Sequence, residues 1–474
     1  MKSEQDAAII DRGNSACIIG AGPGGLSAAR ALKAKKITYD QFERHSDVGG
    51  IWDINNVGTP MYDSAHFISS RDLSGFVGFP MPRDFPEYPS HRQIAHYLRS
   101  FAAAFGLRES IQFSTTVTLI RKDPDGHWSV SLSDGSTRRY RWIVLATGTN
   151  WKPNLPAFRG EFNGEIRHSN SFQSGSEFQG KNVLVVGAGN SGADISCEAA
   201  IHAKQAFISM RRGYYFIPKH VFGVPADVFG ENGPHLPLWL ARPVFKFLLK
   251  LLVGDLTRWG LPKPDHRLFE THPIVNSQLL HHLQHGNIAV RKNIDRLEGD
   301  FVIFSDGARE KIDLILCATG FKWGAECAAQ FFEWKHGRPL LYLSMFSRTH
   351  RNLCAIGYLD QNSSAFKLFD TQALTLAAYF RAQLDGLDTA RQFDQLIQSD
   401  EPDLSGGIQF VQSDRHAVYL DARSFTAYLE TLRTRMHWPR LTEDLYAAIK
   451  LDQPFPKSAA PVVHEVLGES LHGE

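Results

Sequence analysis

Two glycine-rich turns, each set between an apolar strand and a helical stretch, constrain this 474-residue chain more than any other feature. The run ACIIG reads as a short buried strand and leads into Gly20-Ala21-Gly22-Pro23-Gly24-Gly25, after which LSAARALKAK has helical periodicity. Glycines 20, 22 and 25 form GxGxxG with a strand before, a helix after and an acid, Glu43, about twenty positions on at the end of a second strand. The first glycine permits a tight turn, the second lets backbone approach a pyrophosphate, and the third allows helix and strand to pack closely. The helix N-terminus offers free N–H groups to phosphate, and a carboxylate at Glu43 suits a free ribose diol.

The pattern returns after Lys181. NVLVVG precedes Gly187-Ala188-Gly189-Asn190-Ser191-Gly192, and ADISCEAAIHA follows. The next strand, QAFISM, ends at Arg211-Arg212 instead of an acid, and arginine accommodates a 2′-phosphate. The first unit therefore reads as an FAD or NAD site and the second as an NADPH site. A third repeat frames them. RWIVLATG ends at Ala146-Thr147-Gly148, and DLILCATG ends at Ala318-Thr319-Gly320. That order predicts an α/β chain of two Rossmann-like dinucleotide-binding domains, the NADPH domain inserted into the FAD domain. The expected bounds are 1–160 for the first part of the FAD domain, 161–325 for the NADPH domain, and 326–474 for the rest of the FAD domain with a C-terminal tail. Segments 150–160 and 324–339 serve as the crossings.

Bulk properties exclude several classes. A formal net charge of +1 gives no long-range attraction to nucleic acid. The polar start MKSEQDAAIIDRGNS has no signal-like apolar run, so a cytoplasmic protein is expected. Five cysteines without a CxxC pair fit reduced thiols and supply no redox disulfide. His281, His282 and His285 contain an i, i+4 pair but no third ligand lies nearby, so no metal is expected. The segment LWLARPVFKFLLKLLV, from Leu238 to Val253, is apolar but carries Arg242, Lys246 and Lys250 four residues apart and is interrupted by Pro243. It is expected to pack on the protein's own surface or in a homo-oligomer. Membrane contact and a mobile cover over a substrate route are the lesser alternatives.

A chain that holds FAD and NADPH together is built for hydride transfer from nicotinamide to flavin. The electrons then pass to O₂ or to another acceptor such as a quinone. One segment separates these outcomes. Phe162-Asn163-Gly164-Glu165-Ile166-Arg167-His168-Ser169-Asn170-Ser171-Phe172 matches FxGxxxHxxx(Y/F), the identifying sequence of class B flavin-containing monooxygenases. Gly49-Gly50-Ile51-Trp52 resembles the family's GGxW, Phe79-Pro80-Met81-Pro82 its FPxP, and Ala318-Thr319-Gly320-Phe321 its ATG(Y/F). The chain thus resembles a bacterial-type member along nearly its whole length.

The resemblance implies a flavin 4a-hydroperoxide whose distal oxygen is transferred to a small nucleophile, a sulfide or an amine. Baeyer–Villiger oxygenation of a ketone, NADPH dehydrogenase or oxidase activity without oxygenation, and a redox-sensing binding protein are the alternatives. The partners expected are therefore a small-molecule substrate and O₂. The expected cofactor-binding set is Gly20, Gly22, Gly24, Gly25, Glu43, Arg44, Gly50, Ile51, Trp52, Val117, Ala146, Thr147, Gly148, Gly187, Gly189, Asn190, Ser191, Gly192, Arg211, Arg212, Ala318, Thr319, Gly320 and Gln361. No Ser-His-Asp set is needed, because the cofactor carries the hard step. Many members place an Asn about ten residues before FPxP, whereas residues 65–72 here contain none. His66, Ser69 and Ser70 are the candidate hydrogen-bonding groups of that region, and Asn276 is a candidate near the nicotinamide or else a helix cap.

Overall fold

The computed structural model describes residues 9–233, 236–416 and 418–451; the last residues of the expected tail lie outside these. Both apolar runs that precede the glycine turns form central parallel strands. Ala16–Ile19 is flanked in register by Tyr39–Phe42 and Trp142–Leu145, and Leu353–Ala355 and Ile111–Gln112 extend the parallel array outward. Two short antiparallel strands complete a seven-stranded sheet. All residues of Ala16–Ile19 and Trp142–Leu145 are buried, as continuous apolar runs covered on both faces should be. The second sheet is wholly parallel, in the order Glu165–His168, Leu314–Cys317, Asn182–Val186, Gln205–Ser209, Ile288–Arg291. The chain is a mixed α/β fold.

The two halves repeat more closely than the glycine and ATG motifs reveal. Before Trp142–Leu145 the chain makes an antiparallel meander, Val117–Lys122, Trp128–Leu132 and Thr137–Tyr140. Before Leu314–Cys317 it makes another, Ile294–Gly299, Phe301–Phe304 and Arg309–Lys311. Each meander gains a short parallel strand from earlier in the chain than the corresponding glycine turn, Ile10–Asp11 in one case and Gly160–Phe162 in the other.

The two crossings between the sheets run side by side. Lys152–Pro153 pairs antiparallel with Phe321–Lys322, and Thr319 Oγ1 donates to the Asn154 carbonyl at 2.6 Å. After the second crossing the chain returns to the first sheet. Helix Ala365–Leu384 packs on helix Pro23–Ala34, where Asp370 accepts from Ser27 at 3.0 Å and pairs with the fully buried Arg30 at 2.7 Å. Arg30 also lies over the Tyr446 ring at 3.8 Å, so the C-terminal segment is part of this core.

Leu238–Val253 forms one helix that runs through Pro243 without a break. Of the expected surface packing, one side is seen, where Ala241 is buried, Phe245 meets the Phe269 ring and Arg242 bonds Glu270; the other side is exposed. No helix among the described residues is long and apolar enough to cross a membrane.

Candidate functional site

The first glycine turn is forced by close backbone contacts. Gly20 has φ +108°, and a Cβ there would lie 2.4 Å from the Ala146 carbonyl oxygen; at Gly25 it would lie 2.0 Å from the Gly20 carbonyl oxygen. Gln41 Nε2 donates to that same Gly20 oxygen at 2.8 Å and holds the turn closed. Helix Pro23–Ala34 starts directly after, with proline in its first turn, where the N–H it lacks has no helical acceptor.

Above this turn opens a cavity of about 640 Å³. Its wall contains Gly20, Gly22, Gly24, Glu43, Arg44, Gly50, Ile51, Trp52, Val117, Ala146, Thr147, Gly148 and Gln361, thirteen residues of the expected set. Gly25 supports the turn from beneath. Glu43 is buried; its Oε2 accepts the Ala21 N–H at 2.6 Å and its Oε1 the His45 N–H at 3.0 Å, so the carboxylate is aimed at the end of the strand. Arg44 lies 4.2 Å over the Trp151 ring, and burial lowers its pKa from the usual guanidinium range. The Gly49-Gly50 turn has φ of +127° and +58°; Asn56 Nδ2 donates to the Gly50 carbonyl at 2.7 Å and Thr59 Oγ1 to the Ile51 carbonyl at 2.5 Å.

These features fit a dinucleotide. A helix N-terminus with no Cβ over it, a buried carboxylate at one end and an apolar far end match pyrophosphate, ribose and ring in turn. The cavity wall also holds residues that sequence reading did not find: Phe67, His272, Ile356, Gly357, Asp360, Phe366 and Phe369. Burial pushes the Asp360 carboxyl up, against the opposing pull of Arg415 and Arg338, and drives the His272 pKa well below its ordinary value. His272 Nδ1 lies 3.0 Å from the Tyr419 hydroxyl, which donates to the Gln361 carbonyl at 2.7 Å. No local pattern marks His272, because it reaches the cavity only through tertiary folding.

The second turn repeats the first. Gly187 has φ +102° with its would-be Cβ 2.6 Å from the Ala318 carbonyl oxygen, and at Gly192 a Cβ would lie 2.0 Å from the Gly187 carbonyl oxygen. Gly189 has nothing within 4 Å, so the N-terminus of helix Asn190–His202 faces open space. Asn190 is tied to the neighbouring segment: its Nδ2 donates to Pro273 at 3.1 Å and its Oδ1 accepts the Val275 N–H at 2.9 Å. Ser191 is exposed in the first turn, while Ala318, Thr319 and Gly320 form the opposite lip. Arg211 is exposed and makes no ion pair among the described residues, whereas Arg212 contacts Asp265 at 3.5 Å.

The four candidates near the chemistry lie elsewhere: none of His66, Ser69, Ser70 or Asn276 lines the cavity. His66 Nδ1 sits 3.1 Å from the Ser64 carbonyl, and its Nε2 accepts from Lys219. Ser69 Oγ accepts from Ser74 at 2.8 Å, and the Ser70 hydroxyl is buried without a partner among the described residues. Asn276 Oδ1 accepts the Leu279 N–H at 2.8 Å, so it acts as a cap for helix Gln278–Gln284. Within the 65–72 segment only Phe67 lines the cavity: His66 bonds Lys219, the Ser69 hydroxyl bonds Ser74, and the Ser70 backbone N–H donates to Asp227.

His168 also has a structural place. The Asn170 N–H donates to its Nδ1 at 3.2 Å, leaving Nε2–H to donate to the Gly320 carbonyl at 2.8 Å. It thereby pins the end of strand Glu165–His168 to the second ATG turn. A Cβ on Gly164 would lie 2.5 Å from the Asp313 carbonyl, and Phe172 is fully buried against Phe178, with ring centroids 4.8 Å apart.

Two like-built glycine turns thus differ in their surroundings: one lies under a cavity with a buried carboxylate, and the other faces open space, with the exposed Arg211 after its second strand. Comparison with known proteins gives the family. Residues 13–435 match the model of the FMO-like, flavin-binding monooxygenases, and the chain belongs to that family. It is 31% identical to the dimethylaniline monooxygenase [N-oxide-forming] 2 of Mus musculus, over 77% of this chain and 72% of that protein. Its fold is similar to that of S-allyl-L-cysteine S-oxygenase from Allium sativum, at 18% identity, with 93% and 92% of the chains covered and a TM-score of 0.62. It is likewise similar to cyclohexanone monooxygenase with cyclohexanone bound, at 18% identity, 90% and 98% coverage and a TM-score of 0.69. The protein is an FAD-dependent, NADPH- and O₂-using monooxygenase.

Proposed function

We propose that the cavity over Gly20–Gly25 holds FAD, that the open turn at Gly187–Gly192 holds NADPH, and that the enzyme oxygenates a small sulfide or amine. FAD supplies reduction by NADPH and activation of O₂; the side chains supply binding, orientation and exclusion of water. Glu43 accepts from the adenosine ribose, the N-terminus of helix Pro23–Ala34 faces the pyrophosphate, and Arg44 with Trp151 closes the adenine end. Phe67, Ile356, Phe366 and Phe369 keep the far end dry, and Gln361 closes it. Arg211, with Arg212 behind it, meets the 2′-phosphate. We read the chain as two Rossmann-like domains, 1–160 with 326–474 and an inserted 161–325.

The observation that carries this reading is the cavity of about 640 Å³ over the first turn, with its buried carboxylate and the rings of Phe67, Phe366 and Phe369 in its wall. The names of the N-oxide-forming relative and of the S-oxygenase with the same fold support nitrogen and sulfur as the oxygenated atoms. Five buried cysteines with free thiols support a reducing, cytoplasmic setting. Turnover of thioanisole and dimethylaniline under ¹⁸O₂ with NADPH tests the proposal. One ¹⁸O atom in the sulfoxide or the N-oxide is the expected result. NADPH oxidation with no labelled product from either compound, or labelled ester from a cyclic ketone alone, would overturn it.

A further inference from the structure

The two nucleotide units correspond strand for strand at the end of the second strand, and the match brings out a charge difference that the glycine motifs do not contain. In the first unit Ile19 pairs with Phe42 and Phe42 with Gln112; in the second Val186 pairs with Ser209 and Ser209 with Arg291. The bond that closes this corner is repeated too. The Glu43 N–H donates to the Gln112 carbonyl at 3.0 Å, and the Met210 N–H to the Arg291 carbonyl at 3.1 Å. Glu43 therefore corresponds to Met210, Arg44 to Arg211, and Phe113 to Lys292. An arginine stands at the same place in both units, so Arg211 by itself does not tell them apart. What differs is the exchange of a buried carboxylate and a half-buried ring, Glu43 and Phe113, for a buried thioether and an exposed ammonium, Met210 and Lys292.

The sheet aims Lys292 at the open turn. Ile288 and Val290 pack with Ala206, Ile208 and Met210 on the face that carries helix Asn190–His202. Side chains alternate along a strand, so Lys292 continues on that same face, at the carboxyl end of the sheet where the helix N-terminus opens. Ser209 Oγ donates to the Lys292 carbonyl at 2.8 Å and fixes its backbone. Arg291 goes to the other face, where it lies over the Phe207 ring at 5.4 Å and is neutralised by Glu310 at 2.9 Å. Neither Lys292 nor Arg211 makes an ion pair among the described residues. Asp265, the carboxylate on the adjoining segment, is engaged by Arg212 at 3.5 Å and His266 at 2.9 Å. Neighbouring strands run about 4.8 Å apart, so two unpaired cations at adjacent strand ends repel unless an anion lies between them.

We propose that Lys292 is a specificity-determining residue for the phosphorylated coenzyme, its ammonium and the Arg211 guanidinium receiving the 2′-phosphate between them. Met210 completes the selection, because no carboxylate at that position competes for the ribose. The inference rests on reading the open turn as the NADPH site and adds the group that separates NADPH from NADH.

Calorimetric titration of the FAD-loaded, full-length protein with adenosine 2′,5′-bisphosphate and with AMP tests it. The unaltered protein should bind the bisphosphate at least about tenfold more tightly than AMP. Lys292→Gln should weaken the bisphosphate about tenfold and leave AMP within about twofold, and Lys292→Arg should restore the difference. A lysine with only a structural role would not separate the two ligands, and its loss would lower the midpoint in urea. Here the midpoint without ligand should hold or rise, because a like-charge contact is relieved. Undiminished discrimination in Lys292→Gln, or an equal loss of both ligands, overturns the inference. Discrimination lost in Arg211→Ala but kept in Lys292→Gln leaves the NADPH site standing and removes Lys292 from it. Equal binding of AMP and the bisphosphate by the unaltered protein overturns the NADPH site itself, and the role of Lys292 with it.

Discussion

The two glycine turns of this protein are nearly superimposable in their local chemistry and differ in what lies over them. At Gly25 and at Gly192 a Cβ would meet the carbonyl oxygen five residues earlier at the same 2.0 Å, and Gly20 and Gly187 each abut the alanine of an ATG turn. Yet a Cβ at Gly22 would come within 3.5 Å of Gly50, in a second layer of chain, whereas Gly189 faces nothing within 4 Å. Strand, turn and helix make the phosphate cradle; the covering layer decides residence. An enclosed cradle suits a group that stays, and an open one suits a coenzyme that arrives and leaves. The same contrast holds for charge, with a buried Glu43 at one strand end and an exposed Arg211 at the other.

The largest test sets Gly22→Leu against Gly189→Leu. The first forces a side chain between Gly22 and Gly50 and into the cavity, at a cost of about 3 kcal/mol or more, a hundredfold or greater loss of FAD affinity. The protein should purify colourless. Gly189→Leu should remain yellow and show its defect in the KM for NADPH. Equal loss of the 450 nm absorbance in both would abolish the distinction.

Next in size is coenzyme choice. Arg211→Ala should weaken NADPH by about 1.5–3 kcal/mol, ten- to a hundredfold in kcat/KM, and leave NADH nearly unchanged. Arg212→Ala should do less, since Asp265 already engages Arg212. A larger effect from Arg212, or an equal loss with both coenzymes, would move the 2′-phosphate away from Arg211.

The crossing between the two units gives a smaller effect. His168→Ala removes the bond to Gly320 and should cost about 1–2 kcal/mol of stability, seen as a lower midpoint in urea. Burial holds the His168 pKa below the ordinary 6.5, and it holds that of His416 down to about 4. The unfolded chain therefore binds more protons than the native one below pH 6.5. Stability conferred by the neutral rings is complete above that pH and is lost as pH falls from 6.5 toward about 4. His416→Gln should flatten this acid limb of the urea midpoint; an unchanged limb would show that the ring stays solvated.

The smallest effect should come from Ser69→Asn. Its hydroxyl accepts from Ser74 and lies outside the cavity, so hydrogen peroxide released per NADPH should change less than about twofold, within about 0.5 kcal/mol. A marked fall in peroxide would bring that loop to the reacting atoms.

Residue order alone determined the parts of this enzyme that are governed over a few positions. A strand that must be buried, a turn that only glycine can make and a helix that begins at once are local facts, so both cradles and the Glu43–Arg211 contrast could be read directly. The expected insertion was read from the order of two ATG repeats, whereas the pairing of Lys152–Pro153 with Phe321–Lys322 came only from the fold. Tertiary structure alone decided which polar groups face the cavity. A serine or histidine in a loop carries no periodicity to fix its direction: the Ser69 hydroxyl bonds the nearby Ser74, whereas His66 and the Ser70 backbone N–H meet Lys219 and Asp227 from a distant part of the chain. His272 and Phe366 reach the cavity for the same reason, from positions about a hundred residues apart in the chain, through packing that no short stretch of sequence encodes.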